Sequence, residues 1–188
     1  MSYVVPYLVP MLENAGAFVF LPRERDVQPL EVIVDNDGSS SGSEFVAHQT
    51  IKASMAGFRL KDTLVSGENP FSLGTAVSFE GKGVDPVASY LPAFPKKGEY
   101  AVYVSYPYHK KNSSSVVYDV HHQGGITSFL VNQTIGCGSW IYLGTFLFEQ
   151  GKNADKGSVV LRAKGSDNIL VAADAVRFGG GMGNVARK

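Results

Sequence analysis

Residues 138–148 read GSWIYLGTFLF, and residues 171–178 read VAADAVRF. The first stretch gathers Trp140, Ile141, Tyr142, Leu143, Phe146, Leu147 and Phe148 into one short run. Aromatic and β-branched side chains suit a pleated, half-buried surface, and successive side chains of a strand point to opposite faces. Unbroken alternation places Trp140, Tyr142, Phe146 and Phe148 on one face and Ile141, Leu143 and Leu147 on the other. Both faces are apolar, which predicts a strand covered on both sides. Gly144 interrupts the run and marks a bulge or a close backbone approach. Glu149, Gly151, Lys152 and Asn153 end it in a turn. Val159–Ala163 and Ile169–Phe178 follow as two more predicted strands. Asp174 falls in the middle of the second. A carboxylate there needs a partner, either Arg177 or backbone N–H groups.

Outward from this stretch the chain keeps the same texture. Glu31–Val34, Phe45–Ala53, Thr75–Phe79, Val84–Leu91 and Glu99–Tyr106 read as strands. Pro92–Gly98 is a turn, and Asp35–Ser43 (DNDGSSSGS) is a polar loop. Val116–His122 and Thr127–Val131 flank Gln123-Gly124-Gly125 and predict a hairpin. Many short strands joined by glycine-rich turns predict an all-β chain, a β-sandwich of jelly-roll type. The first thirty residues differ. Tyr7–Ala15 reads as a short helix that Gly16 ends, and Ala17–Leu21 as an apolar strand, so a helix–strand extension precedes the sandwich.

Composition bounds what such a chain does. Its 188 residues suffice for one ordinary domain with extensions. Seventeen basic and 17 acidic residues cancel, so no basic field recruits nucleic acid or an anionic membrane. The single cysteine, Cys137, excludes an intrachain disulfide. No apolar run is long enough for a transmembrane helix. MSYVVPYLVPML lacks a basic region and carries two prolines, a poor signal peptide.

Gly138–Phe148 followed by Ala173–Phe178 resembles the signature of the golvesin C-terminal-like domain, also described from xanthan lyase. Val34–Asp37 (VDND), Gly98–Val104 (GEYAVYV) and Tyr118–Gly125 (YDVHHQGG) agree with it, so the resemblance spans about residues 32–178. It implies a β-sandwich appended to carbohydrate-active or secreted enzymes, exported to the bacterial periplasm, cell surface or medium. Leu12–Gly16, Val19–Leu21, Arg23 and Asp26 resemble a helix–strand piece of the zinc-dependent N-acetylmuramoyl-L-alanine amidases, with Pro22 where that family has threonine. The joint expectation has three parts. Residues 1–30 are an amidase-like flank, 31–178 a golvesin-like sandwich, and 179–188 (beginning Gly179-Gly180-Gly181) a flexible junction to further sequence. The amidase zinc ligands would be two histidines and a glutamate. His48, His109, His121 and His122 all lie in the β body, so zinc and catalysis then belong to a parent domain outside this chain.

Candidate ligand-binding residues follow from side-chain chemistry. Tyrosine and tryptophan offer a flat apolar face with a polar edge, which suits a sugar ring. Tyr90, Phe94, Tyr106, Tyr108 and Trp140 are such residues, and His109 joins Tyr106 and Tyr108 at the end of a strand, beside a loop. Trp140 and Tyr142 lie in the stretch most suited to burial. Asp35, Asp37 and Ser39 alternate before a glycine-rich loop and are candidates for calcium, although Gly38 comes too early for an EF-hand loop, and an Asx turn explains the same residues. His121 and His122 point to opposite faces of a strand and suit no shared metal. Cys137 between two glycines has no histidine at a readable spacing. Asp119 and Asp174 would form an acid–base pair only if the fold joined them. The leading expectation is a non-catalytic carbohydrate-binding accessory domain that holds a catalytic domain of its parent chain near polysaccharide or peptidoglycan. A spacer that binds no glycan and a lyase or hydrolase fragment are the alternatives.

Overall fold

The computed structural model describes residues 30–61, 64–83, 85–164 and 169–180. The helix over Tyr7–Ala15 and the strand over Ala17–Leu21, with the amidase resemblance they carry, lie outside the described residues. So does most of the 179–188 junction.

Twelve strands make up the described chain: β1 (Glu31–Asp35), β2 (Glu44–Ala47), β3 (Ala53–Gly57), β4 (Gly74–Glu80), β5 (Pro86–Leu91), β6 (Gly98–Val104), β7 (Val116–His122), β8 (Gly125–Val131), β9 (Ile141–Phe148), β10 (Ser158–Ala163), β11 (Leu170–Ala173) and β12 (Ala175–Gly179). They form three antiparallel sheets, ordered β1-β12-β6-β9, β2-β5-β10-β7-β8 and β11-β4-β3. The fold is all-β, as expected for a sandwich of jelly-roll type.

Alternation builds the core. In β7, Val116, Tyr118 and Val120 point inward, and in β10 Val159, Leu161 and Ala163 meet them. From the first sheet, Val32, Val34, Val102, Val104, Phe148, Val176 and Phe178 close the same cluster, and Phe79 and Val171 join it from the third. Phe94 stacks on Phe148 at 4.5 Å and meets Phe178 edge-on at 5.4 Å. Each such side chain removed from water contributes about 1.5–3 kcal/mol. The opposite face of β7 carries polar chemistry: Asp119 pairs there with Arg162 of β10 across the sheet.

Three expectations are corrected by this topology. The run Ile169–Phe178 is not one strand. It breaks at Asp174, where the chain leaves the β11-β4-β3 sheet and enters the β1-β12-β6-β9 sheet. Nor does β9 alternate without interruption. Its register against β6 shifts between Tyr142 and Gly144, with Val102 opposite Gly144 and Tyr103 opposite Tyr142. Leu143 is the extra residue, and the bulge inverts the parity beyond it. Ile141, Leu143, Phe146 and Phe148 therefore all turn to the core, while Tyr142 and Leu147 are exposed. As the last strand of its sheet, β9 is covered on one face only in part. Phe45–Ala53 also shortens to β2, with β3 beginning at Ala53.

Candidate functional site

Strand β8 ends one sheet and β9 ends another, and the loop 132–140 carries the chain between these two edges. The edges and loop enclose an open groove of about 350 Å³, lined by Tyr106, Phe129–Gly136 in part, and Ile141–Leu143.

Local chemistry fixes the loop. Asn132 Oδ1 accepts the Thr134 N–H at 2.9 Å and the Thr134 hydroxyl at 2.7 Å, which starts the turn. The Tyr106 hydroxyl donates to the Ile135 carbonyl at 2.9 Å. Gly138 N–H in turn donates to the Tyr106 carbonyl at 3.1 Å. Gly136 and Gly138 hold φ of 71° and 66°, a region that favours glycine. The Gly-Cys-Gly motif is thus turn chemistry. Cys137 is half-buried, its thiol donates to the Gln133 carbonyl at 3.4 Å, and burial pushes its pKa up, away from a thiolate nucleophile.

The groove is mostly apolar. Phe129, Leu130, Ile135, Ile141 and Leu143 line it, with Tyr106 beneath. Tyr142 stands at the rim, 46% exposed, its hydroxyl 2.9 Å from Thr145 Oγ1. Asn132 adds an amide. Among the described residues no carboxylate, histidine or lysine lines it, so the lining supplies no general acid or base near neutral pH.

The candidate sugar-binding residues are dispersed. Tyr106 contributes to the groove but is buried, and burial pushes its phenol pKa up to about 12. Tyr108, two residues on, is 69% exposed. His109 is half-buried, its Nδ1 accepting the Lys111 N–H at 3.2 Å. Neither Tyr108 nor His109 lines the groove. Tyr90 is buried in the core against Phe45 at 5.2 Å and offers no ring face to a ligand. Trp140 packs on Phe58 at 4.8 Å and Phe71 at 5.6 Å, with the Arg177 guanidinium 5.0 Å from its ring. Phe94 is likewise core. Tyr142 is the residue that sequence reasoning assigned to burial, because the parity change at the bulge is invisible without the partner strand.

The remaining candidates resolve into structure. Asp174 Oδ1 accepts the Phe58 N–H at 2.8 Å, and Oδ2 accepts the Ser105 hydroxyl at 2.9 Å. These groups, not Arg177, are its partners; Arg177 lies over Tyr103 at 4.2 Å and beside Glu31 at 3.8 Å. Asp119 is held by Arg162 and Ser128 in another sheet, so the two carboxylates form no acid–base pair. His122 donates to or accepts from Thr127 at 2.9 Å and packs on Phe146 at 4.6 Å. Among the described residues no group of three or more His, Cys, Asp or Glu is placed to hold a metal ion. A second, shallower groove of about 660 Å³ lies over His48, Gln49, Glu80, Lys82, Asp85 and Pro86. It mixes charges of both signs, and its aromatic ring is the His48 imidazole.

The antiparallel sheets and the apolar groove between two of their edges define an all-β domain of β-sandwich type. The chain is a member of the golvesin C-terminal domain family, which matches residues 69–180, that is β4 to β12 with the whole groove. A xanthan lyase from Bacillus sp. (strain GL1) is 40% identical over 100 residues, 52% of this chain and 10% of that protein. The solved structure of a Paenibacillus xanthan lyase matches 79% of this chain and 13% of its own, with 25% identity and a TM-score of 0.53. The chain thus spans about a tenth of the relatives it matches, and it is related to a small part of a polysaccharide-acting enzyme. Among the described residues no helix is long and apolar enough to cross a membrane.

Proposed function

We propose that residues 31–178 form a non-catalytic accessory module that binds polysaccharide in the β8–β9 groove and keeps a catalytic domain of its parent chain near its substrate. One observation carries this reading: the groove joins an exposed tyrosine ring and an apolar floor to an amide, with no acid–base group in its lining. The C–H faces of a sugar stack on such a ring, and its hydroxyls reach the polar rim. Kinship with a domain of a xanthan lyase supports polysaccharide as the ligand class. Peptidoglycan is the other glycan to which the reading extends. Export to the periplasm or cell surface, and the flanks 1–30 and 179–188 as junctions to further domains, belong to the same proposal. Tyr108 and His109 would border the ligand from the loop after β6.

The test is binding of the domain to xanthan, a panel of soluble polysaccharides and insoluble peptidoglycan, by calorimetry and pull-down. Tyr142→Ala is expected to weaken binding by roughly 1 kcal/mol, about fivefold; Tyr108→Ala reports whether the loop takes part. Absence of binding across the panel overturns the reading.

A second reading has its own observation. Ile126, Leu130, Ile135, Tyr142 and Leu147 expose apolar surface along the same two edges. Such a patch also suits packing against a neighbouring domain of the parent chain, as a spacer would. Tyr142 shielded from solvent in the intact parent protein, together with no glycan binding by the isolated domain, would favour it.

A further inference from the structure

Strand β1 ends at a buried carboxylate with an oxygen that nothing satisfies. Asp35 is 3% exposed. Its Oδ1 receives the Asp37 N–H at 3.4 Å, whereas its Oδ2 is buried without a hydrogen-bond partner. Two further oxygens from the next two residues share that state, Asn36 Oδ1 and Asp37 Oδ1. Buried polar atoms are nearly always paired. Leaving one unpaired costs about 1–3 kcal/mol, more for a charged group. Three in consecutive residues point to a missing partner.

The other atoms of these side chains are fixed. Asp37 Oδ2 accepts the Thr75 N–H and hydroxyl, each at 2.7 Å, and Arg59 Nη2 at 3.1 Å. Asn36 Nδ2 donates to the same Thr75 hydroxyl at 3.2 Å. Thr75 therefore anchors both side chains at one point. Ser39 closes the loop by donating its hydroxyl to the Asp35 carbonyl and accepting the Asp35 N–H, both at 2.9 Å. The three free oxygens stand on a braced turn.

Charge points the same way. Asp35, Asp37 and Asp174 lie close enough to repel one another, and Arg59, the cation bonded to this group, is engaged by Asp37 Oδ2. Protonating Asp35 does not solve the problem, because a proton on Oδ2 would be a donor without an acceptor. A hard cation solves it: carboxylate and carboxamide oxygens are the ligands calcium takes, and no nitrogen or sulfur is offered that zinc would prefer. Magnesium demands a more regular octahedron than three consecutive residues supply.

The geometry points to a calcium-type cation site formed by Asp35 Oδ2, Asn36 Oδ1 and Asp37 Oδ1, with water completing the shell. Asp174 adds charge but not a ligand, since both its oxygens are engaged. The three ligands precede the matched family segment 69–180; the site rests on the unpaired oxygens and not on the family. Its place, at the end of β1 and bonded through Asp37 to Thr75 of β4, makes it a clamp between two sheets, away from the β8–β9 groove.

The experiment titrates CaCl₂, with MgCl₂ alongside, into chelator-stripped protein near neutral pH, followed by calorimetry and thermal melting. Saturable binding of one calcium per chain with a higher Tm is expected, and magnesium acts more weakly. Asp35→Asn keeps the shape of the turn, and its calcium affinity is expected to fall at least about tenfold. Its Tm in chelator should stay near that of the wild type, because the amide keeps the shape of the turn and its oxygen still accepts the Asp37 N–H. Asp155→Asn, on an exposed turn, should respond as the wild type does. Two results overturn the site: no heat and no Tm change in the wild type at several millimolar calcium, or an unchanged response in Asp35→Asn. Should Asp35→Asn fail to fold, Asn36→Ala, which removes one ligand oxygen, must show the weakened response or the site falls.

Discussion

Asp174 shows how one carboxylate can hold a joint in the chain. Its two oxygens tie β12 to the ends of β3 and β6 through Phe58 N–H and Ser105. Gly57 must be glycine beside it, because a Cβ there would lie 2.6 Å from Asp174 Oδ1, Ala76 N and Thr75 C. Gly57→Ala is expected to cost about 1–3 kcal/mol, read from denaturant melts. Asp174→Ala strands the Phe58 N–H and should destabilise by about 1–3 kcal/mol, with Asp174→Asn milder. Burial, then the charges of Asp174 and Asp37, pushes Asp35 up to about 8, and burial pushes Asp174 up to about 6. The folded chain therefore holds protons that the unfolded chain releases. Without bound cation, that stability is complete below the ordinary carboxylate range and is lost as pH rises through about 6 and then about 8. Melts in chelator should show Tm falling across that window, and a rising Tm would refute the burial of these charges. The need of Asp174 for a partner was legible from a carboxylate in an apolar run. The identity of that partner was not, since Phe58 is 116 residues away.

At the scale of elements, what sequence reveals depends on how local the cause is. The β7–β8 hairpin is local: His122 pairs with Gly125 across Gln123-Gly124, and the motif itself predicts it. The bulge in β9 was suggested by Gly144, yet its consequence depends on register against β6, which no single strand contains. That is why Tyr142 read as core and Trp140 and Phe148 as neighbours on one face. The split of β11 from β12 is hidden for the same reason: both halves are apolar, and only their partners differ. Gln133 is a further device that sequence concealed. Fully buried, it accepts the Ala172 N–H at 2.9 Å and donates to the Ala172 carbonyl at 2.8 Å and the Tyr118 hydroxyl at 2.9 Å. It serves the edge of β11 as a neighbouring strand would, and joins the groove loop to the core. Gln133→Leu should destabilise by on the order of 2–4 kcal/mol by leaving these groups unpaired. Hydrogen exchange at the Ala172 amide should rise more than at other core amides; equal protection would contradict this role.

For the whole molecule, the sheets leave two edges, β8 and β9, side by side with their apolar residues uncovered. Exposed edges invite unwanted pairing, so this arrangement asks for an occupant. The polysaccharide proposed for the groove would cover these apolar residues. The fold class was legible in the chain because alternation and turn residues recur along its whole β body. The groove was not, because it arises only where two sheet edges meet, and its lining reads as core along the sequence. The most direct test of glycan binding in the groove is chemical-shift mapping of the domain with xanthan-derived oligosaccharides. Saturable shifts are expected, clustered at Phe129–Gly136 and Ile141–Leu143 and lost in Tyr142→Ala. Shifts confined to the His48–Asp85 surface, or none with any oligosaccharide, would contradict a glycan site between these edges.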